Sequence, residues 1–214
     1  MKLYRLNYSP YARKAQMILD LLGLRYEAVD VEYGDRDDMA TLTGGYLQVP
    51  VLVDDAGEVT VDSRAISEKL LRGAAAAKLV PPPWQGPIWA YADWCDGPLE
   101  DVMFRIASPQ QSRKFPTAWE RALYVYVKER KFGVGCVADW ERRHGELVER
   151  ARLMLEPSRE TLALRPFLFG DAPTLADAAL YGLFAMLEAV DPELPPRFGR
   201  EFPSFLRRME TAAR

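Results

Sequence analysis

The sequence predicts an α/β domain followed by a domain built only of helices. Residues 1–73 alternate short apolar runs of strand length with helical patterns, whereas residues 87–214 show apolar residues at three- and four-residue intervals. Between them, the segment 74–86 contains three consecutive prolines that cannot continue a helix. A chain of 214 residues can hold two modest cores. We therefore expect domains at 1–73 and 87–214, joined by a linker at 74–86.

The first domain has the element order of a thioredoxin-like fold. Strands are predicted over residues 3–6, 26–31, 51–53 and 59–61, and helices over residues 9–23, 36–43 and 63–71. The first helix has clear boundaries, because Ser9 is a favoured N-cap residue, Pro10 is a favoured first residue and Gly23 ends the pattern. We expect the first two strands to pair in parallel and the last two to form a hairpin. The order β-α-β-α-β-β-α is thioredoxin-like.

The second domain is predicted to be all-α. Its helices are expected over residues 88–106, 117–131, 137–155, 175–190 and 202–213. The helix over 175–190 is apolar almost all round, which is typical of a buried helix. Thr174 as its N-cap and Asp177 at its third position form a capping box, to which we assign a structural role.

Composition argues against several classes of function. A net charge of −3 without a basic cluster does not favour nucleic acid or anionic membrane partners, so small molecules or proteins are expected. No targeting segment and no apolar run of membrane-spanning length is found, and we expect a soluble cytoplasmic protein. Cys95 and Cys136 lie in helical patterns and suggest buried thiols in a reducing compartment. His144 lies on a charged helix face, so no metal site is expected.

The segment before the predicted hairpin contains a Val-Pro pair. Pro50 precedes the strand at 51–53, where a proline cannot donate to a ladder and where an X-Pro bond can be cis. A cis bond there would leave the backbone groups of Val49 free to pair with an extended peptide. The alternative interpretation is an ordinary proline that begins a strand.

Three motifs in the first domain, taken in order, resemble those of cytosolic glutathione transferases. They are Tyr8-Ser9-Pro10-Tyr11-Ala12-Arg13, Val49-Pro50 before the hairpin, and Asp62-Ser63 at the start of a helix. In the second domain, the segment from Gly170 to Asp177 is similar to the Gly-x-x-Ser/Thr-Leu/Ile-Ala-Asp box of the same family. No single motif is specific, but the ordered set is, and it covers most of the chain. The resemblance is to the serine-type, bacterial-like members.

The resemblance implies a transferase that uses glutathione as co-substrate and conjugates it to a small hydrophobic electrophile. A cysteine-like thiol has a pKa of about 8.5, and the thiolate is the nucleophile. The family also implies a cytoplasmic homodimer with a role in detoxification and no metal. The alternative is a catalytically idle relative that serves as a ligand-binding or scaffold protein. A thioredoxin-like redox protein would need a cysteine at position 9, where this chain has Ser9.

The resemblance makes Ser9 the catalytic residue. Serine-type members carry the activating hydroxyl four residues before an arginine of the first helix, and Ser9 stands in this relation to Arg13. A helix N-terminus and a hydroxyl donor both stabilise a thiolate. The alternative interpretation is that Ser9 serves only as the N-cap of the helix. Tyr8 is the competing donor, and Tyr4 is a weaker one because it lies in the middle of a predicted strand.

The resemblance also implies how glutathione is held. Val49, beside Pro50, would pair with the cysteinyl backbone. Asp62 and Ser63 would bind the γ-glutamyl end, although a helix cap explains both residues equally well. Gln48 would bind the glycyl carboxylate.

Two assignments have alternatives. The loop before Gln48 departs from the family pattern, because Thr43-Gly44-Gly45-Tyr46 stands where the family commonly has Asn-Pro-x-Gly. Arg36 is therefore a second candidate for binding the glycyl carboxylate. Tyr11 either lines the electrophile pocket or covers the first helix. The rest of that pocket is expected among Tyr8, Trp94, Met103 and Phe104.

Overall fold

The computed structural model describes residues 1–214, apart from the side chain of residue 75. The N-terminal elements in chain order are β1 (Lys2–Arg5), α1 (Pro10–Leu21), β2 (Glu27–Asp30), α2 (Asp37–Thr43), β3 (Val51–Val53), β4 (Val59–Val61) and α3 (Ser63–Leu70). The strands form one mixed sheet in the order β2-β1-β3-β4. As predicted, β1 and β2 are parallel and β3 and β4 form an antiparallel hairpin. This is the thioredoxin-like arrangement.

A small core lies between this sheet and the helices α1 and α3. Leu3 on the central strand β1 and Leu52 on β3 face each other in register. Both are buried, together with Ala15 and Leu19 of α1 and Ile66 of α3. Burial of these side chains fixes α1 against the sheet, since each aliphatic residue contributes about 1.5–3 kcal/mol when it is fully removed from water.

The remaining helices form the C-terminal part of the protein. They are α4 (Ala74–Leu79), α5 (Gln85–Trp94), α6 (Glu100–Lys114), α7 (Ala118–Phe132), α8 (Cys136–Arg142), α9 (His144–Leu164), α10 (Leu175–Val190) and α11 (Glu201–Ala212). The segment 74–86, predicted as a linker, contains α4 and a turn of 3₁₀-helix at Pro82–Trp84. Within the part of the chain that is described, no helix is long and apolar enough to span a bilayer.

The helix predicted over 88–106 contains a turn of π-helix. This turn, Cys95–Leu99, joins α5 to α6 and includes Pro98. Proline has no N–H to donate, and its ring clashes with the carbonyl group four residues earlier, so a wider turn relieves the helix. The turn lies beside α1, because the Tyr11 hydroxyl donates to the carbonyl oxygen of Asp96 at 3.0 Å.

The prediction of a single helix over 137–155 is correct at its start to within one residue but wrong in its continuity and in its end. The structure has two helices, α8 and α9, separated at Arg143, and α9 continues to Leu164. The guanidinium of Arg143 pairs with Asp139 on one side and Glu146 on the other. Beyond residue 155, Pro157 lies inside α9 and has no N–H to donate to the carbonyl oxygen of Leu153, four residues earlier. Leu153 is exposed to solvent.

The predicted capping box at the start of α10 is confirmed. The backbone N–H and the hydroxyl of Thr174 donate to Asp177 Oδ2 at 2.9 and 2.7 Å, and the N–H of Leu168 donates to Oδ1 at 2.8 Å. Burial raises the pKa of Asp177 to about 6, although these hydrogen bonds act in the opposite direction. The helix behind the box is buried as expected, and its Phe184 stacks on Phe202 of α11 with 4.3 Å between ring centroids.

The helix α10 touches the first turn of α1 at a glycine. A Cβ atom on Gly182 would lie 2.4 Å from the carbonyl oxygen of Pro10 and 3.1 Å from the nitrogen of Lys14. Real Cβ atoms do not approach backbone this closely, so only glycine permits the contact. This contact fixes the position of the N-terminal end of α1 against the C-terminal helices.

Replacing Gly182 with alanine is expected to destabilise the protein by about 1–3 kcal/mol, because the added methyl group must push α1 away from α10. Denaturant unfolding measures this change. Gly145→Ala is the matched control, since nothing lies within 4 Å of that helical position and alanine there should be neutral or stabilise by up to about 1 kcal/mol. Equal effects of the two substitutions would contradict the close contact.

Candidate functional site

Three segments leave the same edge of the sheet. Val51 on β3 is paired with Tyr4 near the end of β1 and with Val61 at the end of β4. Because both pairings are antiparallel, the end of β1, the start of β3 and the end of β4 are neighbours. The segments that follow or precede them contain Ser9, Val49-Pro50 and Asp62-Ser63. The sheet register therefore places these three predicted motifs at one edge.

Ser9 is the N-cap of α1, as predicted. Its backbone is extended, its N–H donates to the carbonyl of Leu6 at 2.9 Å, and its Oγ accepts the N–H of Ala12 at 3.3 Å. Only 9% of the residue is exposed. The cap uses the oxygen as an acceptor, so the hydroxyl proton stays available for a second partner. A nucleophilic anion beside this hydroxyl would also face the positive end of the α1 dipole.

The bond between Val49 and Pro50 is cis, as the sequence suggested. Pro50 is buried and Val49 is half-buried. The ladder of β3 begins at Val51, so the backbone of Val49 lies outside the pairing of the sheet. Gln48, directly before it, is exposed.

Asp62 combines a helix cap with an unusual backbone conformation. Its backbone φ of 75° is positive, a conformation that residues other than glycine, asparagine and aspartate rarely adopt. Its Oδ1 accepts the N–H groups of Arg64 and Ala65 at 2.8 and 3.4 Å, which caps α3. Ser63, the first residue of α3, is 5% exposed. Residues held in such conformations cluster at ligand sites. The exposed carboxylate of Asp62 can bind an ammonium group, and the N–H groups of the helix N-terminus beside it can bind a carboxylate.

Tyr8 lies in an aromatic cluster between the two parts of the protein. Its ring meets Phe115 edge to face at 6.0 Å, and Tyr33, Phe115 and Tyr124 contact one another at centroid distances of 4.9–5.4 Å. Burial, followed by the neighbouring phenols, raises the pKa of Tyr8 well above its usual value. Its hydroxyl has no hydrogen-bond partner among the described residues. Arg36 lies over the ring of Tyr33 at 5.7 Å, which places this candidate for the glycyl carboxylate beside the same cluster.

Tyr11 of α1 contacts the π-turn between α5 and α6, because its hydroxyl donates to the carbonyl oxygen of Asp96. Burial and the charge of Glu100 raise the pKa of Tyr11. Glu100 is half-buried, and burial raises the pKa of its carboxyl to about 7. On α7, the amino group of Lys128 lies 4.7 Å from the ring centroids of both Phe104 and Tyr124, and burial lowers its pKa to about 8. Sequence reasoning did not find Glu100 or Lys128.

One residue expected near the electrophile lies in the core instead. Met103 is fully buried and belongs to the core, so its assignment to the pocket is wrong. Trp94 packs on Tyr91 with 5.2 Å between ring centroids. Trp94 is half-buried, and its place in the pocket stays a prediction.

A buried ion pair fixes the first turn of α1 from the side. Lys14, 2% exposed, pairs with the carboxylate of Asp96 in the π-turn, and Arg13 donates to the hydroxyl of Tyr181 on α10 at 2.9 Å. Together with the bond from Tyr11 to Asp96, these contacts tie the helix that carries Ser9 to the C-terminal helices. Among the described residues, no group of three potential metal ligands is found.

A thioredoxin-like sheet with a capped α1, followed by helices that end in a buried capping-box helix, defines the class of protein. The family profile described as glutathione S-transferase, N-terminal domain, matches residues 3–78, and that of glutathione S-transferase, C-terminal domain, matches residues 118–208. The chain belongs to the glutathione S-transferase family.

Solved structures share this fold at low sequence identity. A glutathione S-transferase of Ceriporiopsis subvermispora in complex with glutathione is 18% identical, with a TM-score of 0.81 over 99% of this chain and 96% of that one. A glutathione transferase of Phanerochaete chrysosporium is 18% identical, with a TM-score of 0.75 over 100% and 96%. Glutaredoxin 2 of Salmonella typhimurium in complex with glutathione is 18% identical, with a TM-score of 0.73 over 99% and 94%. No curated protein sequence matches the chain significantly.

Replacing Tyr8 with phenylalanine is expected to stabilise the free protein by about 1 kcal/mol, because it removes a buried hydroxyl without a partner among the described residues and keeps the ring contact with Phe115. Denaturant unfolding measures the change. Tyr124→Phe is the control, since its hydroxyl is hydrogen-bonded to Ser108 at 3.0 Å and its loss should destabilise the protein. A loss of stability in Tyr8→Phe would show that its hydroxyl is satisfied.

Proposed function

We propose that this protein is a glutathione transferase that activates the thiol of glutathione and conjugates it to a small hydrophobic electrophile. The observation that carries the proposal is the position of Ser9, whose hydroxyl proton is free at the N-terminus of α1, at the same edge of the sheet as the cis Val49–Pro50 segment. The glutathione held by solved relatives of the same fold supports this assignment.

The three segments at the sheet edge would hold the tripeptide at separate points. The cysteinyl backbone pairs with Val49 beside Pro50, outside the ladder of β3. The γ-glutamyl amine binds the carboxylate of Asp62, and its carboxylate binds Ser63 and the N–H groups at the start of α3. Gln48 receives the glycyl carboxylate.

Ser9 would lower the pKa of the bound thiol. At a pKa of about 8.5, roughly 3% of a thiol is ionised at neutral pH. A decrease of about 2 units raises this fraction to roughly three-quarters and corresponds to about 2.7 kcal/mol of differential stabilisation. One hydroxyl donor and a helix N-terminus together supply stabilisation of this size. Tyr8 and Tyr11 would flank the sulfur, with Tyr11 facing the electrophile.

The remaining assignments follow from this function. We propose a cytoplasmic homodimer with a role in detoxification, in which residues 1–73 bind glutathione and residues 87–214 complete the electrophile site. Disulfide exchange is not favoured, because position 9 is serine and the cysteines that are described, Cys95 and Cys136, are buried. The competing function is a ligand-binding or scaffold protein that binds glutathione without turning it over.

Ser9→Ala is expected to lower kcat with glutathione and an aryl halide by about tenfold to a hundredfold, because the thiolate loses its hydroxyl donor. The absorbance of the bound thiolate, followed against pH, should show a higher thiol pKa, while the glutathione Kd changes little. Tyr8→Phe is the comparison and should reduce kcat less.

Full activity in Ser9→Ala together with a loss in Tyr8→Phe would make Tyr8 the donor. Binding of glutathione by the wild-type protein without turnover of any electrophile would favour the scaffold function. If the wild-type protein neither binds glutathione nor turns over any electrophile, the glutathione proposal is rejected.

Asp62→Asn is expected to raise the glutathione Kd about tenfold, because it removes the negative charge that pairs with the γ-glutamyl amine. Asparagine tolerates a positive φ and also caps helices, so stability should stay within about 0.5 kcal/mol of wild type. Calorimetric titration and denaturant unfolding measure the two quantities. An unchanged Kd would mean that Asp62 serves only as a cap.

A further inference from the structure

A cavity lies beside the C-terminal helix α11. It has a volume of about 470 Å³, and it is lined by Phe167, Ser204, Arg207, Arg208, Thr211 and Ala212. Sites for small molecules in proteins have volumes of about 300–1,000 Å³. None of the lining residues belongs to the N-terminal domain or to the proposed glutathione site, so the cavity is a separate candidate site.

One face of α11 supplies most of the cavity wall. Ser204, Arg207, Arg208 and Thr211 follow one another at intervals that place their side chains on the same side of the helix. Phe167, in the segment between α9 and α10, is buried on the other side of the cavity. Two guanidinium groups and two hydroxyl groups therefore share a small space with an aromatic ring.

Arg208 has a donor without an acceptor. Its Nε donates to the carbonyl oxygen of Pro166 at 2.9 Å, which fixes the side chain, whereas its Nη2 is buried and has no hydrogen-bond partner among the described residues. The carboxylate of Asp177 acts on this charge, but its two oxygens already accept from Leu168 and Thr174. Burial lowers the pKa of Arg208, as is expected of a cation that lacks a paired anion. A buried charged donor without an acceptor is unfavourable, so this position favours an acceptor from outside the chain.

Arg207 and Ser204 add two further donors. Nη2 of Arg207 donates to Ser204 Oγ at 3.2 Å, so the oxygen of Ser204 accepts and its hydroxyl proton is free for a ligand. Arg207 is exposed, and its charge acts on Glu188 of α10, with which it forms no ion pair in the described part of the chain. The hydroxyl of Thr211, by contrast, is used within the helix, because it donates to the carbonyl oxygen of Arg207 at 2.8 Å.

We propose that this cavity binds the phosphate group of a small phosphomonoester. Its donors on Arg207, Arg208 and Ser204 match the three terminal oxygens of such a group. Its two guanidinium charges match a phosphate charge of about −1.5 to −2 at neutral pH. A carboxylate offers only two oxygens and a single charge, and guanidinium groups bind phosphate through paired hydrogen bonds.

The apolar part of the lining indicates an ester in preference to free phosphate. Phe167 and Ala212 offer carbon atoms on which an organic group can pack, and inorganic phosphate has no such group. The inference goes beyond the proposed glutathione transferase function and does not depend on it.

The first test is a calorimetric titration of the full-length protein with phenyl phosphate. A salt concentration of about 0.15 M screens attraction between distant charges, so that only close contacts are measured. Saturable binding is expected, with weaker binding of inorganic phosphate, which lacks the ring. Benzoate should bind at least about tenfold more weakly than phenyl phosphate. Phenyl phosphate should also raise the melting temperature of the protein, because a ligand of the folded state stabilises it.

Three substitutions locate the binding site. Arg207→Met should raise the Kd of phenyl phosphate at least about tenfold, and the exposed position makes the fold tolerant of this change. Arg208→Met should abolish binding. Because that change also removes the bond to Pro166, Arg207→Met decides the question if Arg208→Met fails to fold. Arg200→Met is the control: it removes the same charge from an arginine whose side chain is 96% exposed, and it should keep the wild-type Kd.

Each result either supports or overturns the phosphate site. Absence of saturable phenyl phosphate binding, equal affinity for benzoate, an unchanged Kd in Arg207→Met, or equal weakening in Arg200→Met would overturn it. Saturating glutathione should leave the Kd of phenyl phosphate unchanged, and competition between the two would place the phosphate at the glutathione site and overturn the inference. Failure of the protein to bind glutathione would reject the transferase function and leave the phosphate site standing.

Discussion

The contact between the first turn of α1 and α10 is the constraint on which the candidate site depends. At Gly182 the two backbones approach so closely that a single methyl group would collide with the carbonyl of Pro10. The ion pair of Lys14 with Asp96 fixes the same turn from the side. Stabilisation of an anion depends steeply on donor geometry, so a hydroxyl at the N-cap is useful only if the helix start is fixed. The C-terminal helices therefore define the proposed thiol site as much as the sheet does.

Burial shifts the pKa values of two ionisable groups, one on α6 and one on α7, in opposite directions. Removing a charge from water disfavours the charged form, which raises the pKa of Glu100 to about 7 and lowers that of Lys128 to about 8. At the proposed thiol site, by contrast, the donors are the hydroxyl of Ser9 and the backbone N–H groups at the start of α1.

The two candidate donors that the sequence left open differ in their surroundings. Ser9 is held by the local bonds of a helix cap, and its proton is free. Tyr8 packs on Phe115 in a cluster that also contains Tyr33 and Tyr124, and burial raises its pKa far above the physiological range. These contacts join residues that are about a hundred positions apart in the chain. The cluster accounts for Tyr8 as a contact between the two parts of the protein, and this supports Ser9 as the donor.

The sequence by itself determined the features that depend on neighbouring residues. The cap at Ser9, the hairpin after Pro50 and the box of Thr174 and Asp177 are short-range arrangements, so residue type and spacing were sufficient to predict them. Only the tertiary structure decided which side chains meet between the domains. Glu100 and Lys128 carry no local signal, because their pKa values come from burial beside helices that are distant in sequence.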